Sequence, residues 1–242
     1  MLRWMKQHGT LTVVGVEGCG IYGAGLARHL DRKGIAVVEV PRPDRRLRRN
    51  SGKSDPIDAE AAARAVLAGT ATVQPKLGDG PIEAIRALRV ARIGAVKAKT
   101  AATNALKALV ITAPEPLRSQ LAGLTTIQLV NPCARFRSEL SAPYDPTQAT
   151  KTAMRSIAVR ARHLIDETRA LKRQLDTLTQ HTAPATTSVF AIGPETAAAL
   201  LVTIGDNPDR LRSEAAFAHL CGVAPIPASL GKTDRHRSTA HR

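Results

Sequence analysis

From Arg155 to His181 the apolar or small residues Ile157, Ala161, Leu164, Thr168, Leu171, Leu175 and Leu178 recur at alternating steps of three and four. That spacing places one such residue per turn on a single stripe, the a/d seam of a coiled coil. The segment is therefore expected to be a long helix lying against a partner helix. The partner is either the helical stretch from Pro81 to Leu109 folding back or a second copy of the chain. Hydrophobic residues make up 43% of the chain, yet only three Phe, two Tyr and one Trp are among them, so the core must be built from Ala, Val, Leu and Ile.

The N-terminal third has a different pattern. Leu11 to Val16 and Gly34 to Val40 are short β-branched runs, and the amphipathic stretch Ile21 to Lys33 lies between them, which makes one β-α-β unit. An Ala-rich helix is expected from Asp55 to Gly69, and strand signals fade after Val73. Pro114 and Pro116 end the next helical stretch, and residues 123–150, with Gly, Pro, Ser and Thr but no steady period, read as a loop or linker. After Pro184, Gly193-Pro194 opens an apolar helix, and a second helix follows from Ser213 to Leu220. This is a helix-hairpin-helix-like pattern whose leading backbone N–H groups suit a phosphate, although a plain capped helical pair explains the same residues. The last eleven residues carry no closing element, and the chain reads as cut.

Charge narrows the partners. Lys and Arg total 35 against 20 Asp and Glu, a formal charge of +15. A polyanion is favoured, nucleic acid ahead of an anionic membrane surface, and the basic helices lack the Trp or Phe that anchor an interfacial helix. Cys19, Cys133 and Cys221 are too few and too scattered for a disulfide framework or a zinc site, which fits a reducing cytoplasm. The apolar run ending at Val16 falls well short of a signal-peptide core or of the ~18 residues of a membrane span.

Two constellations could carry chemistry. Gly18-Cys19-Gly20-Ile21-Tyr22-Gly23 after a strand, with Glu39 about 20 residues on, has the form of a nicotinamide-dinucleotide fingerprint. Glu17 stands where its carboxylate would face the pyrophosphate, however, and glycines that let helix and strand pack closely explain the pattern better. The second constellation is Glu17 at a strand end with Asp55 and Asp58 at a helix start. Hard cations take oxygen ligands, and phosphodiester chemistry with Mg2+ needs such a cluster. On these residues alone helix capping is the better account of Asp55-Pro56-Ile57-Asp58, with Asp55 as N-cap, Pro56 at N1 and Asp58 as the reciprocal acid. Arg42, Arg45, Arg46, Arg48, Arg49 and Lys53, just before this helix, would bring a polyanion beside the carboxylates.

Three strings carry a resemblance: Val16 to Leu26 (VEGCGIYGAGL), Arg48 to Ala59 (RRNSGKSDPIDA) and Ser213 to Pro225 (SEAAFAHLCGVAP). Together they closely resemble the IS-one-ten family of insertion-sequence transposases, over nearly the whole chain. The resemblance implies α/β plus α architecture. It comprises a partial RNase H-like (RuvC-like) domain over 1–76, a helical coiled-coil middle over 77–182, and a truncated C-terminal transposase domain over 183–242. It implies DNA transposition, Mg2+ held by a D-E-D-D tetrad, DNA as substrate and a structured guide RNA as partner. Glu17 corresponds to the tetrad's Glu, and Asp55 and Asp58 to its last two Asp residues. The first Asp has no counterpart here, because the chain is expected to begin in the helix before the Glu strand.

The family's nucleophilic serine precedes a Gly in a stretch similar to Pro225 to Lys232, which puts Leu230 at its position. Either the adjacent Ser229 substitutes through a one-residue register shift or strand-transfer chemistry is lost, and loss is favoured. The expected function is thus that of a transposase in a truncated or inactive copy, with homo-oligomerisation through the 155–181 helix. A nucleic-acid-binding remnant without chemistry is the alternative, and a nicotinamide enzyme is third. Nucleic-acid contacts are expected at Arg42, Arg45, Arg46, Arg48, Arg49, Lys53, Gly193, Lys232, Arg235 and Arg237. Neutralising Arg45, Arg46, Arg48 and Arg49 together is expected to flatten the salt dependence of DNA binding, by roughly 0.9 in log–log slope for each phosphate no longer neutralised. An unchanged slope contradicts the assignment.

Overall fold

A computed structural model of the chain describes residues 1–41, 55–76, 78–137, 139, 145–206, 211, 213–227 and 236–238. The chain divides into two compact units, one of Met1–Glu83 with Ala199–Arg242 and the other of Ala84–Ala198. The described residues are mostly helical, with a small parallel sheet of two strands and a short antiparallel pair. None of the helices among them is long and apolar enough to cross a membrane.

The first unit is built on the expected β-α-β. Helix α1 (Leu2–Gln7) precedes β1 (Val13–Glu17), α2 (Ala24–Asp31) and β2 (Ala36–Val40). The strands run parallel, with Val13 opposite Ala36 and Glu17 opposite Val40. Leu30 and Ala27 of α2 are buried with Val16, Cys19, Ile35 and Val37, and Leu2, Leu11, Val14 and Leu26 close over them. Such a small sheet can bury only one modest cluster, and a second layer is supplied by α3 (Asp55–Leu67), which packs on β1 and β2.

Gly15, in the middle of β1, admits that layer. A Cβ there would lie 2.7 Å from Val66 Cγ2, 2.8 Å from Val40 Cγ2 and 3.3 Å from the Ala62 carbonyl oxygen. Glycine inside a strand weakens it, and its presence here marks a close approach of another backbone. Past α3 the chain returns beside β2, where the Glu39 N–H donates to the Val73 carbonyl at 2.7 Å. Lys76 Nζ then donates to the carbonyls of Val202 (2.6 Å) and Thr203 (2.8 Å), in the last turn of α9 (Pro194–Ile204). A cation at a helix C-terminus satisfies carbonyls that have no intrahelical donor.

The second unit is a helical bundle. It contains most of α4 (Pro81–Thr112), then α5 (Glu115–Leu121), α6 (Thr126–Ala134), α7 (Pro146–Thr182) and the single turn α8 (Pro184–Thr187). Ala102 and Leu106 of α4, Leu117 and Leu121 of α5, and Leu129, Val130 and Cys133 of α6 form one buried cluster with Met154, Ala158 and Ala161 of α7. Leu106 and Met154 are fully buried among Ala102, Ala158 and Ala161, which is how an aromatic-poor chain fills a core with aliphatic side chains.

Two expectations are corrected and two are refined. Residues 123–150 hold a helix, α6, and the first turn of α7. Thr125 and Gln128 make a capping box, with the Thr125 N–H donating to Gln128 Oε1 at 3.0 Å and the Gln128 N–H to Thr125 Oγ1 at 3.5 Å. The tail is not without a closing element, since β3 (Pro225–Pro227) pairs antiparallel with β4 (His236–Ser238), after α10 (Glu214–Leu220). Pro114 follows the end of α4 as expected, and it also starts α5 as its N-cap. In α7 the seam is partly displaced. Met154, Ala161, Thr168 and Leu175, seven apart, are buried as the heptad requires, but Ala158 and Thr179 are buried while Ile157, Leu164, Leu171 and Leu178 are only half-buried. The Thr168 hydroxyl is satisfied by the Leu164 carbonyl at 2.6 Å. Among the described residues the helix packed most closely on α7 is α6, which neither expected partner named, and Ala102 and Leu106 of α4 join the same buried cluster.

Replacing Gly15 by Ala is expected to cost about 1–3 kcal/mol in urea denaturation, the usual range for overpacking. Gly25→Ala is the control, since a Cβ at Gly25 meets nothing within 4 Å. Equal stability of the two variants would contradict the close docking of α3.

Candidate active site

Glu17 is the last residue of β1, half-buried and opposite Val40 in the parallel register. The chain then turns sharply. Gly18 has φ +66, and its carbonyl accepts N–H bonds from both Ile21 (2.9 Å) and Gly23 (3.0 Å). A Cβ on Gly23 would fall 2.5 Å from the Glu17 carbonyl oxygen and 2.9 Å from Val16 Cγ1. The turn is thus seated on the backbone of Glu17, and Gly23 serves packing. At Gly20, by contrast, a Cβ would meet nothing within 4 Å. The nicotinamide reading finds no support here.

Cys19, inside this turn, is buried and donates its thiol to the Val16 carbonyl at 3.2 Å. Burial, with the Glu39 carboxylate adding to it, pushes the thiol up to about 11. Burial alone does the same to Cys133, also to about 11.

Asp55 and Asp58 lie in the first turn of α3. The half-buried residues of that helix are Asp58, Ala61, Ala62, Ala65 and Val66, a stripe stepping by threes and fours. Ala62 and Val66 of this stripe meet Gly15. Asp58 continues the same stripe one turn toward the N-terminus, about 6 Å along the axis from Ala62. Asp55, more exposed, is the next position on it. Gly15 is two residues before Glu17, roughly 7 Å along the strand. The contact that docks α3 thus belongs to the same strand and the same helical face as the three carboxylates. Their oxygens are the donors a hard divalent cation takes. Among the described residues, however, no three His, Cys, Asp or Glu side chains gather closely enough to hold a metal ion.

The expected nucleic-acid contacts fare unevenly. Arg42, Arg45, Arg46, Arg48, Arg49, Lys53, Ser229, Lys232 and Arg235 lie outside the described residues. Arg237 is in β4, opposite Ile226. Gly193 is exposed directly before α9, its carbonyl accepting the Ala197 N–H at 3.0 Å. Arg89 and Arg92 stand out in the sequence as basic residues along a helix, but their partner does not. Arg92 Nη1 lies 2.7 Å from Glu195 Oε2 and Arg89 Nε lies 3.8 Å from Glu195 Oε1, which ties the first turn of α9 to α4. Gly15 is also missed by sequence reasoning, and the signal that could have found it is a glycine interrupting a β-branched run.

Residues 1–113 match a transposase family model of the DEDD IS110 type, and residues 184–242 match the model for the transposase IS116/IS110/IS902 family. The chain belongs to the IS110 family of transposases. No curated protein matches it. The two matched regions contain every candidate site residue: Glu17, Asp55, Asp58 and the basic sequence from Arg42 to Lys53 in the first, Gly193 and the tail residues in the second. Function by family is DNA transposition, carried out by a DNA recombinase that binds DNA.

At pH 8 one thiol per chain, the exposed Cys221, is expected to react with Ellman's reagent, with Cys19 and Cys133 reacting only on unfolding. Both buried thiols have folded values raised to about 11 from an ordinary 9.0, so the stability they confer is intact below pH 9 and is lost as the pH rises through 11. Urea denaturation across that window checks the loss. Fast reaction of three thiols at pH 8 would contradict the burial.

Proposed function

We propose that Glu17, Asp55 and Asp58 are the carboxylates with which this transposase holds Mg2+, at one edge of an RNase H-like (RuvC-like) sheet. The observation that supports this is the shared geometry of α3 and β1, in which the helical stripe bearing Asp58 and Asp55 is the one docked at Gly15, two residues before Glu17. A divalent cation bound there would polarise a phosphodiester and stabilise the attacking and leaving oxygens of an in-line displacement. The chain's own contribution is placement. Gly23 fixes the Glu17 backbone from behind, the half-burial of Asp58 restricts its side chain, and the cationic residues of the sequence from Arg42 to Lys53 neutralise DNA phosphates.

In this reading residues 1–76 form the RNase H-like region, 77–182 the helical middle and 183–242 the C-terminal transposase region of a cytoplasmic protein. A structured guide RNA is a second polyanionic partner, and the 155–181 helix joins copies of the chain. Strand transfer through a serine would fall to Ser229, with Leu230 at the nucleophile's position, and its loss is the reading we favour.

A second reading, a nucleic-acid-binding protein without chemistry, is favoured by one observation: the three carboxylates are not gathered into a ligand cluster. Plasmid cleavage in Mg2+ or Mn2+, against EDTA, separates the two. The first reading predicts cation-dependent hydrolytic nicking, with water as the nucleophile in place of the serine, that falls about 100-fold in Glu17→Gln and Asp58→Asn, with DNA binding in EDTA retained. It also predicts a cation-induced rise in Tm that Asp58→Asn abolishes. DNA binding without nicking or a Tm rise in either cation would establish the second reading.

A further inference from the structure

The turn that follows Glu17 presents two apolar side chains to solvent. Tyr22 is 96% exposed and its neighbour Ile21 is 66% exposed. A chain with two Tyr, three Phe and one Trp in 242 residues has placed one of its few aromatics where it contributes almost nothing to the core. The turn itself is rigidly held, by the left-handed Gly18, by two N–H bonds to the Gly18 carbonyl, and by the seat of Gly23 on the Glu17 carbonyl. A fixed backbone carrying an exposed ring is a preorganised surface, since a Tyr has few rotamers to lose on binding.

The neighbourhood indicates what binds there. β1 and β2 are parallel, so the turn after Glu17 and the chain leaving Val40 start from the same edge of the sheet, with Glu17 opposite Val40. The sequence after Val40 carries Arg42, Arg45, Arg46, Arg48, Arg49 and Lys53. An exposed aromatic on a chain of formal charge +15 suits single-stranded nucleic acid, whose phosphates meet cationic residues while a base stacks on the ring. We propose that Tyr22, flanked by Ile21, is a stacking platform for one nucleobase of a DNA strand at the Glu17 edge. This rests on the reading that DNA passes that edge, and it adds a binding residue that acts through the base and not the phosphate. Every base has a π-face, so the platform is sequence-tolerant and helps to hold an unpaired or distorted strand beside the carboxylates.

The test is a cycle between protein and DNA, run on the full chain in EDTA so that no cleavage is read. Binding is measured to fluorescein-labelled oligo(dT) and to an abasic deoxyribose-phosphate oligomer of equal length. Tyr22→Ala is expected to weaken oligo(dT) binding about tenfold while leaving abasic binding unchanged, and Tyr22→Phe is expected to restore it. Irradiation with an oligonucleotide carrying 5-iododeoxyuridine is expected to crosslink the peptide that contains Tyr22. Equal losses on both oligomers, or no loss on either, overturn the platform. So does a concentration-dependent dimer of the wild type that Tyr22→Ala abolishes, which would assign the ring to a protein contact. The nicking assay bears on Glu17 and Asp58 and not on Tyr22, so failure of the metal reading and failure of the platform are told apart.

Discussion

The N-terminal unit depends on how closely one helix can lie on one strand. A β-carbon at Gly15 would intrude on Val66, Val40 and the Ala62 carbonyl, so without this glycine α3 would have to lift from the sheet. Two strands and one flanking helix bury a single small cluster around Leu30, and α3 is the layer that covers the strands beyond it. The same contact orients the helix that carries Asp55 and Asp58. Stability and the candidate chemistry therefore rest on one approach distance. Gly23 has the matching role in the turn that follows β1, where its lack of a side chain seats the loop on the Glu17 carbonyl.

The helical unit solves a different problem with similar means. With almost no aromatics available, the small Ala102, Ala158 and Ala161 leave room for Leu106, Leu117, Leu121, Leu129 and Met154 in one buried cluster. The ion pairs of Glu195 with Arg92 and Arg89 then attach the start of α9 to this bundle. These arginines are partly buried and paired, so they are committed to structure. The polyanion-facing charge expected of a DNA-binding transposase must come from other residues among the 35 Lys and Arg.

Much of this is legible in the residues, and what is not has physical causes. The β-α-β unit shows because β-branched runs and a 3.6 period are local signals. Its helix starts at Ala24, later than the period suggests, because residues 18–23 are consumed by the glycine turn. Helix α6 is hidden because it is nine residues long and contains Pro132, so its capping box is the one clear sign. The heptad in α7 identifies Ala161, Thr168 and Leu175 as buried, but period alone does not say which flanking stripe faces the bundle, and Ala158 and Thr179 take that place. The carboxylates are found by motif. Local residues cannot separate capping from metal binding, because an acid at a helix start serves either.

That Glu17, Asp55 and Asp58 share one cation is tested most directly by iron-directed cleavage of the protein. Fe2+ replacing Mg2+, with ascorbate and peroxide, releases hydroxyl radicals that cut the backbone beside the bound ion. A shared cation predicts fragments ending near residue 17 and near residues 55–58 together, suppressed by excess Mg2+ and lost in Asp58→Asn. Cuts near 55–58 without cuts near 17, or a pattern that Asp58→Asn leaves intact, would contradict it.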